Sequence, residues 1–280
     1  MHLSIILIVL TAAWWLRSRW EKKSGNWLTR WQQTLSLFLF PPLLILATAI
    51  ALLCMGPTGK MAGWQTGWFS YGLGLAFVGW TAIIGLNLVW EGWQTIQQIR
   101  TYPQIQLGET PGRLLKNAFL FCGRIGFWQP ELVVSEGLLA TLNSEQLEAV
   151  LAHEQGHYYY RDTFWFFWLG WLKAISKWLP NTEALWQELL LLRELRADQW
   201  AAQKVDSLLL AESLLLVAIA PLVRSDNFCA PLSTVAPPNR LEERIEALIS
   251  QPENPTTVDL WFGQFFLLSF LPLLTILFHG

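Results

Sequence analysis

The chain has 280 residues, of which 53% are apolar and only 14% are charged, and its formal net charge at pH 7 is −2. Soluble domains carry about 25% charged residues, so this composition argues against an ordinary soluble protein. The nearly balanced charge also gives no indication of direct nucleic-acid binding. The 18 tryptophans point instead to a membrane, because indole rings favour the membrane–water boundary.

In chain order, four uncharged apolar segments are expected to cross a membrane: residues 3–16, 34–55, 68–90 and 260–278. A spanning helix needs about 20 residues, and the last three segments have that length. The first is shorter. No Lys or Arg precedes it and no small-residue cleavage site follows it, so we interpret it as a retained helix rather than a signal peptide. Pro41 and Pro42 are expected to kink the second segment.

The orientation follows from the basic residues in the short loops. The loop after the first segment carries five of them: Arg17, Arg19, Lys22, Lys23 and Arg30. The next loop carries only Lys60. We therefore expect the first loop to be cytoplasmic in a plasma (inner) membrane. Residues 91–258 then form a cytoplasmic domain between the third and fourth spanning helices.

Two further apolar stretches lie inside that domain, at residues 163–179 and 208–223. Each is short for a spanning helix or is interrupted by charge or proline. We expect core or membrane-dipping helices here. The alternative, two further spans, would leave the final orientation unchanged.

A helix is predicted where the sequence reads NSEQLEAVLAHEQGHYYY, because Asn143 and Gln146 have the spacing of a capping box. Residues four apart share one helix face, so His153 and His157 point the same way and can bind one tetrahedral zinc ion. Glu154 is turned by about 100° from His153. It is therefore a candidate general base that reaches a water at the metal rather than a ligand.

A catalytic zinc needs a third protein ligand, and the remaining histidines, His2 and His279, lie at the chain ends. The helix that contains RELRADQ offers Glu194 and Asp198, again four residues apart. We expect Glu194 to bind the metal and Asp198 to accept the free ring N–H of a ligating histidine. Ala197 leaves room for the two helices to approach closely.

Other roles remain open in the sequence. Glu194 has an alternative interpretation as a solvated charge beside Arg193 and Arg196. Candidate oxyanion donors are Tyr158, Tyr160 and Arg196, together with Tyr159. A tyrosine near a membrane surface is more often an anchor.

Three further features have candidate roles, and two of them have two interpretations each. Residues 130–135 read as a short strand, either an edge strand that binds an extended substrate or part of an ordinary sheet. Arg161 and Asp162 are expected to pair with a neighbouring helix in a structural role. Arg240 and Arg244 hold the domain either to the ligand helix or to acidic lipid.

The stretch LNSEQLEAVLAHEQGHYYYRD followed by RELRAD resembles the membrane-embedded gluzincin peptidases. Two families compete: the BlaR/MecR-type antirepressor peptidases, and the HtpX-type peptidases with their CAAX-prenyl endopeptidase relatives. The segment STVAPPNRLEERIEAL is similar to the one that follows the third ligand in the HtpX type, but Ala236-Pro237 stands where that type usually has His-Pro. The resemblance covers roughly residues 105–250.

The resemblance implies a mainly α protein, with integral membrane helices and a zincin-like α+β cytoplasmic domain built around a short sheet. It assigns one Zn²⁺ to His153, His157 and Glu194, and the role of general base to Glu154. It assigns to Asp198 the hydrogen bond from the ring of a zinc-binding histidine. The implied activity is a zinc endopeptidase that cleaves protein or peptide substrates, either a transcriptional repressor or damaged membrane proteins. The alternative is a proteolytically silent signalling or scaffold protein with the same fold.

Overall fold

A computed structural model of the chain describes residues 2–21, 26–57, 60–61, 64–65, 67–108, 110–219, 240–250, 266–274 and 276. The chain divides into two compact units. The first comprises Met1–Asn87, Trp171–Leu189 and Asn254–Gly280, and the second comprises Leu88–Gly170 and Leu190–Glu253. Residues 260–265, 275, 277 and 278 of the predicted last span lie outside the described residues, and so does the whole STVAPPN segment, residues 233–239.

The described residues are mostly helical, with one small sheet of four strands and a separate pair of two-residue strands, so the predicted mainly α fold class with a short sheet is confirmed. The helices are α1 His2–Ser18, α2 Trp27–Met55, α3 Trp68–Arg100, α4 Glu136–Thr141, α5 Ser144–Tyr159, α6 Asp162–Ile175, α7 Thr182–Ala201, α8 Ser207–Ile219 and α9 Leu241–Ile249, with a short helical turn at Leu271–Leu274. The strands are β1 Lys60–Met61, β2 Trp64–Gln65, β3 Gln104–Leu107, β4 Thr110–Leu115, β5 Cys122–Ile125 and β6 Glu131–Ser135.

Within the described ranges, two helices are long and apolar enough to cross a membrane: α2 with 29 residues and α3 with 33. They contain the predicted spans at residues 34–55 and 68–90. The helix α1 covers the predicted span at residues 3–16 but has only 17 residues. These spans are supported by length and composition alone. Their position in a membrane stays a prediction.

In the first unit, α2 continues through Pro41 and Pro42. Proline has no N–H, so Pro42 cannot donate the usual helical hydrogen bond to the carbonyl of Phe38. The guanidinium of Arg17 fills that role: its Nη2 donates to the Phe38 carbonyl over 3.1 Å. A second donor of Arg17 reaches Thr182 Oγ1 at 3.2 Å. A buried arginine therefore satisfies a backbone group that the proline leaves free.

The second unit is built on a sheet with the strand order β3-β4-β6-β5. The β6 strand pairs with β4 in parallel and with β5 in antiparallel orientation. Residues 130–135 therefore contribute an interior strand, and the edge-strand interpretation is wrong. Pro130 precedes the paired residues, so its missing N–H costs no ladder hydrogen bond.

The β6 strand is buried on both faces, because successive side chains of a strand point to opposite sides. Val133 packs on one face with Ile99 and Ile125. Leu132 and Val134 pack on the other face, in a cluster that also contains Val150 of α5. The sheet thereby supports the helix that carries the two histidines.

The predicted capping box at the start of α5 is present. The side chain of Asn143 accepts from the N–H of Gln146, and the side chain of Gln146 accepts from the N–H of Asn143. Such a box satisfies two of the unpaired N–H groups at a helix start. Farther along, Ala149 of α5 packs in a buried cluster with Leu210 of α8 and Leu248 of α9.

Candidate metal centre

The imidazole rings of the two histidines of α5 lie next to each other in an edge-to-face arrangement. Nε2 of His153 lies 3.0 Å from Nε2 of His157. Both residues are buried, with 5% and 1% of their surface exposed. One turn of helix separates them, which is why the predicted i, i+4 spacing brings the rings together.

The third group comes from α7, as predicted. The Glu194 carboxylate lies 3.3 Å from Nε2 of His153 and 3.6 Å from Nε2 of His157. Ligand atoms that bind zinc tetrahedrally at 2.0–2.1 Å are about 3.3 Å from one another. Among the described residues, His153, His157 and Glu194 form a group that could hold a metal ion, and their spacing is close to that of zinc ligands.

A glycine lets the two ligand helices approach each other. A Cβ atom added to Gly156 would lie 3.2 Å from both Cα and O of Ala197. Such contacts are tighter than side chains normally make, so α5 can lie this close to α7 only because residue 156 has no side chain. The expected close approach at Ala197 is confirmed.

Each histidine has a carboxylate behind it. Nδ1 of His153 lies 2.7 Å from Asp198, and Nδ1 of His157 lies 2.7 Å from Asp162. An ionised carboxylate can only accept, so each one favours a proton on Nδ1 of its ring and leaves Nε2 as the atom that would bind a metal. Asp198 therefore lies next to the ring where the sequence predicts it, and its role toward a metal-bound histidine stays a prediction. Asp162 makes a second contact of the same kind.

Asp198 is in turn held by Arg244 from α9. The guanidinium donates two hydrogen bonds to the carboxylate, at 2.7 and 2.8 Å. Its Nη1 also lies 3.5 Å from Glu194. Of the two interpretations of Arg244, contact with the ligand helix is therefore confirmed. Arg240 pairs with Glu243 on its own helix.

Asp162 is held in the same way by Arg196, which forms an ion pair with its other carboxylate oxygen. The pair with a neighbouring helix was predicted, but the contact with His157 was not. Arg161 makes this contact possible, because its left-handed backbone, with φ of 54°, turns the chain sharply between α5 and α6. An acid five residues after the second histidine, at the start of the next helix, is the signal that could have identified it.

The charges around Glu194 favour its ionised form. Burial raises the pKa of this carboxyl, but Arg193 and His157 outweigh burial and hold the pKa well below its usual value. Arg193 donates to it at 2.8 and 2.9 Å. Burial lowers the pKa of His153, whereas the charge of Asp198 raises it, to about 9. Glu194 is only 3% exposed, so its interpretation as a solvated charge is wrong.

Glu154 lies between the two histidines in sequence and is 5% exposed. Arg124 on β5 holds this part of α5: its Nε donates to the backbone carbonyl of Glu154 at 3.0 Å, and its Nη2 donates to Gln155 at 2.9 Å. The guanidinium also lies over the ring of Tyr158, 4.5 Å from its centre. No sequence pattern links a strand arginine to a helix 30 residues later, so this contact was not predicted.

The candidate oxyanion donors differ in their surroundings. Arg196 is engaged with Asp162 and lies over the ring of Tyr160, 4.2 Å from its centre. Tyr158 is 45% exposed at the end of α5.

Comparison with known protein families gives one match. Residues 111–179 match the family model of peptidase family M48. The match covers well under half of the chain. It includes His153, Glu154, His157 and Asp162, but it ends before Glu194. It supports a metallopeptidase, and M48 peptidases depend on zinc. Searches of curated proteins and of solved structures found no match.

Proposed function

We propose that the protein is a membrane-anchored zinc endopeptidase that hydrolyses peptide bonds of protein substrates on the cytoplasmic side. One observation carries this proposal. Two imidazole nitrogens and a carboxylate, all electron-pair donors, converge within 3.6 Å of one another in a buried site. Such a cluster is stable only around a cation or shared protons, and its spacing matches the coordination of zinc.

His153, His157 and Glu194 hold the ion, and three protein ligands leave the fourth position for water or substrate. When bound there, zinc supplies a Lewis acid that polarises the peptide carbonyl and lowers the pKa of water. Glu154 is the general base: it takes a proton from the attacking water and passes it to the leaving amine. Asp162 and Asp198 fix the tautomers of the two histidines.

The oxyanion that forms during hydrolysis needs a further donor. Arg196 supports Asp162, so we assign it to orientation of His157 rather than to the oxyanion. Tyr158 and Tyr160 remain the candidates, and the exposed Tyr158 is the better placed of the two to meet a substrate.

The membrane part of the proposal is supported by the length and apolar composition of α2 and α3. The basic residues of the first loop favour a cytoplasmic orientation of the site. The resemblance to BlaR/MecR-type antirepressor peptidases suggests one regulatory substrate. The resemblance to HtpX-type peptidases suggests quality control of many membrane proteins. Both roles use the same chemistry.

The test compares wild type with Glu154→Gln and Glu194→Ala in the purified full chain. Wild type is expected to bind about one zinc. Glu154→Gln keeps the metal and loses proteolysis, because the amide cannot take up a proton. Glu194→Ala loses both. Glu148→Gln, an exposed acid on the same helix, is the matched control and retains both.

A proteolytically silent scaffold predicts a different result, in which Glu154→Gln leaves every cellular protein level unchanged. The proposed peptidase predicts that its substrates accumulate. One accumulating transcription factor supports the regulatory role, and a broad set of membrane proteins supports quality control.

A further inference from the structure

The second unit exposes a group of large aromatic side chains that the proposed chemistry does not use. We call it the aromatic face, and it consists of Trp128, Phe164, Trp165 and Trp168. Three of these are tryptophans with 69%, 58% and 44% of their surface exposed. Exposed apolar patches of this kind mark interaction sites in proteins.

The aromatic face is a built arrangement rather than a set of isolated side chains. Phe127 lies at its base, with its ring centre 5.0 Å from that of Phe164 and 6.3 Å from that of Trp168. The rings of Trp128 and Phe164 are 4.9 Å apart. The opposite side of α6 carries the buried Phe166 and Phe167. Both sides of this helix are therefore apolar, and within the described part of the chain the tryptophan side stays largely exposed.

The chemistry of the face fits a lipid interface. The stretches TFWFFWLG, residues 163–170, and GFWQP, residues 126–130, contain no charged residue. A helix side in contact with bulk water normally carries charged or polar residues. Tryptophan combines a large apolar ring with one N–H donor, so it suits the level of the lipid headgroups.

The face also continues into a helix that is long and apolar enough to span a membrane. A cavity of about 240 Å³ is lined by Ile96 and Ile99 of α3 together with Phe127 and Trp128. One turn before Ile96, Trp93 is 51% exposed. This continuity with α3 favours lipid over a protein partner as the occupant of the face.

We propose that the aromatic face lies in the membrane interface and holds the metal centre at the membrane surface. The link is α6 itself. Its first residue, Asp162, contacts the metal-site residue His157, and Trp165 and Trp168 follow about 5 and 9 Å farther along the helix. Resting on the proposed function, the inference gives the face a positioning role: it brings the site close to a substrate that is held at the membrane surface.

Photoreactive lipid tests the contact directly. The full chain is placed in nanodiscs whose lipids carry a diazirine near the acyl carbonyl, and the labelled residues are mapped after irradiation by mass spectrometry. Labels are expected on residues 126–130 and 163–170 as well as on α3. Labels on α3 without any on the two aromatic stretches overturn the inference. Absence of label from α3 as well overturns it together with the membrane part of the proposed function.

A second experiment tests whether the aromatic face promotes cleavage of a substrate that is held at the membrane. One peptide sequence is offered in two forms, free in solution and tethered to the nanodisc by a lipid anchor. Trp165→Ser/Trp168→Ser is expected to cleave the tethered form at least tenfold more slowly and the free form within twofold of wild type. Ile249→Ser, an exposed apolar residue outside the face, is the control and changes neither rate. If the double variant cleaves both peptide forms more slowly by the same factor, the positioning role of the face is wrong. If wild type cleaves neither form, the proposed function is wrong.

Discussion

Nδ1 of His157 lies 2.7 Å from a carboxylate oxygen of Asp162, and the other oxygen of that carboxylate is paired with Arg196. The same arrangement exists around the other histidine, where His153 contacts Asp198 and Asp198 is held by Arg244. Each imidazole is thus fixed by an acid that is itself fixed by an arginine from another part of the chain.

The first prediction concerns Asp162. Asp162→Asn removes the charge that orients the imidazole and fixes its tautomer, so the affinity for zinc is expected to fall about 10- to 100-fold. Competition with a chromogenic chelator measures that affinity directly. Glu148→Gln, on the exposed side of α5, is the control and keeps wild-type affinity. Equal affinity in Asp162→Asn and wild type would show that the contact plays no part in metal binding.

The second prediction concerns Arg244. Arg244→Met leaves the buried carboxylate of Asp198 without its paired guanidinium, which is expected to lower the free energy of unfolding by about 3–5 kcal/mol. Arg244→Lys recovers only part of that loss, because lysine keeps the charge but not the two parallel donors. Thermal unfolding of the metal-free full chain in one detergent compares the variants.

Arg240→Met is the control for Arg244. Its ion pair with Glu243 is partly exposed, with 23% and 32% of the two side chains accessible, and such pairs contribute about 1 kcal/mol or less. If Arg244→Met and Arg240→Met unfold at the same temperature, the proposed support of Asp198 by α9 is wrong.

The third prediction concerns Gly156. In Gly156→Ala the new Cβ meets backbone atoms of Ala197 at 3.2 Å, and those atoms can give way only if α7 moves with its ligand Glu194. Overpacking of this kind costs about 1–3 kcal/mol, more than the roughly 1 kcal/mol that alanine gains over glycine in a helix. Both the free energy of unfolding and the zinc affinity are expected to decrease.

Gly79→Ala is the matched control, since Gly79 is also helical but has nothing within 4 Å of an added Cβ. That variant is expected to be as stable as wild type or slightly more stable. A rise in stability for Gly156→Ala, with unchanged zinc affinity, would contradict the tight approach of α5 and α7.

The parts of the site that follow from helix geometry could be predicted from the sequence. His153 and His157 lie four residues apart on a capped helix, and Glu194 and Asp198 repeat that spacing on α7. Periodicity alone therefore fixed which side chains face the same way. The mainly α fold with a short sheet followed from the same patterns and from the resemblance to known peptidases.

The parts that depend on turns and tertiary packing could not be predicted. Asp162 meets His157 only because Arg161 adopts a left-handed backbone. Non-glycine residues rarely adopt this conformation, so the sequence does not indicate it. The strand at residues 130–135 was assigned to either an edge or an ordinary sheet, because strand order is set by long-range pairing. Arg244 reaches Asp198 from 46 residues away, a distance at which sequence spacing carries no geometric information.

The fourth prediction concerns Arg124, which joins β5 to the helix turn that carries Glu154. Arg124→Met removes the donors to the Glu154 carbonyl and to Gln155 but touches none of the three metal-site residues. A shift of about 1 Å in a reacting group can reduce a rate about 100-fold. We therefore expect a large fall in kcat with the zinc content unchanged. Arg113→Met, on strand β4 of the same sheet, removes a pair with Glu131 and serves as the control for general damage to the sheet. A parallel loss of zinc and activity in Arg124→Met, or equal losses in both variants, would mean that Arg124 supports the fold and not the position of the base.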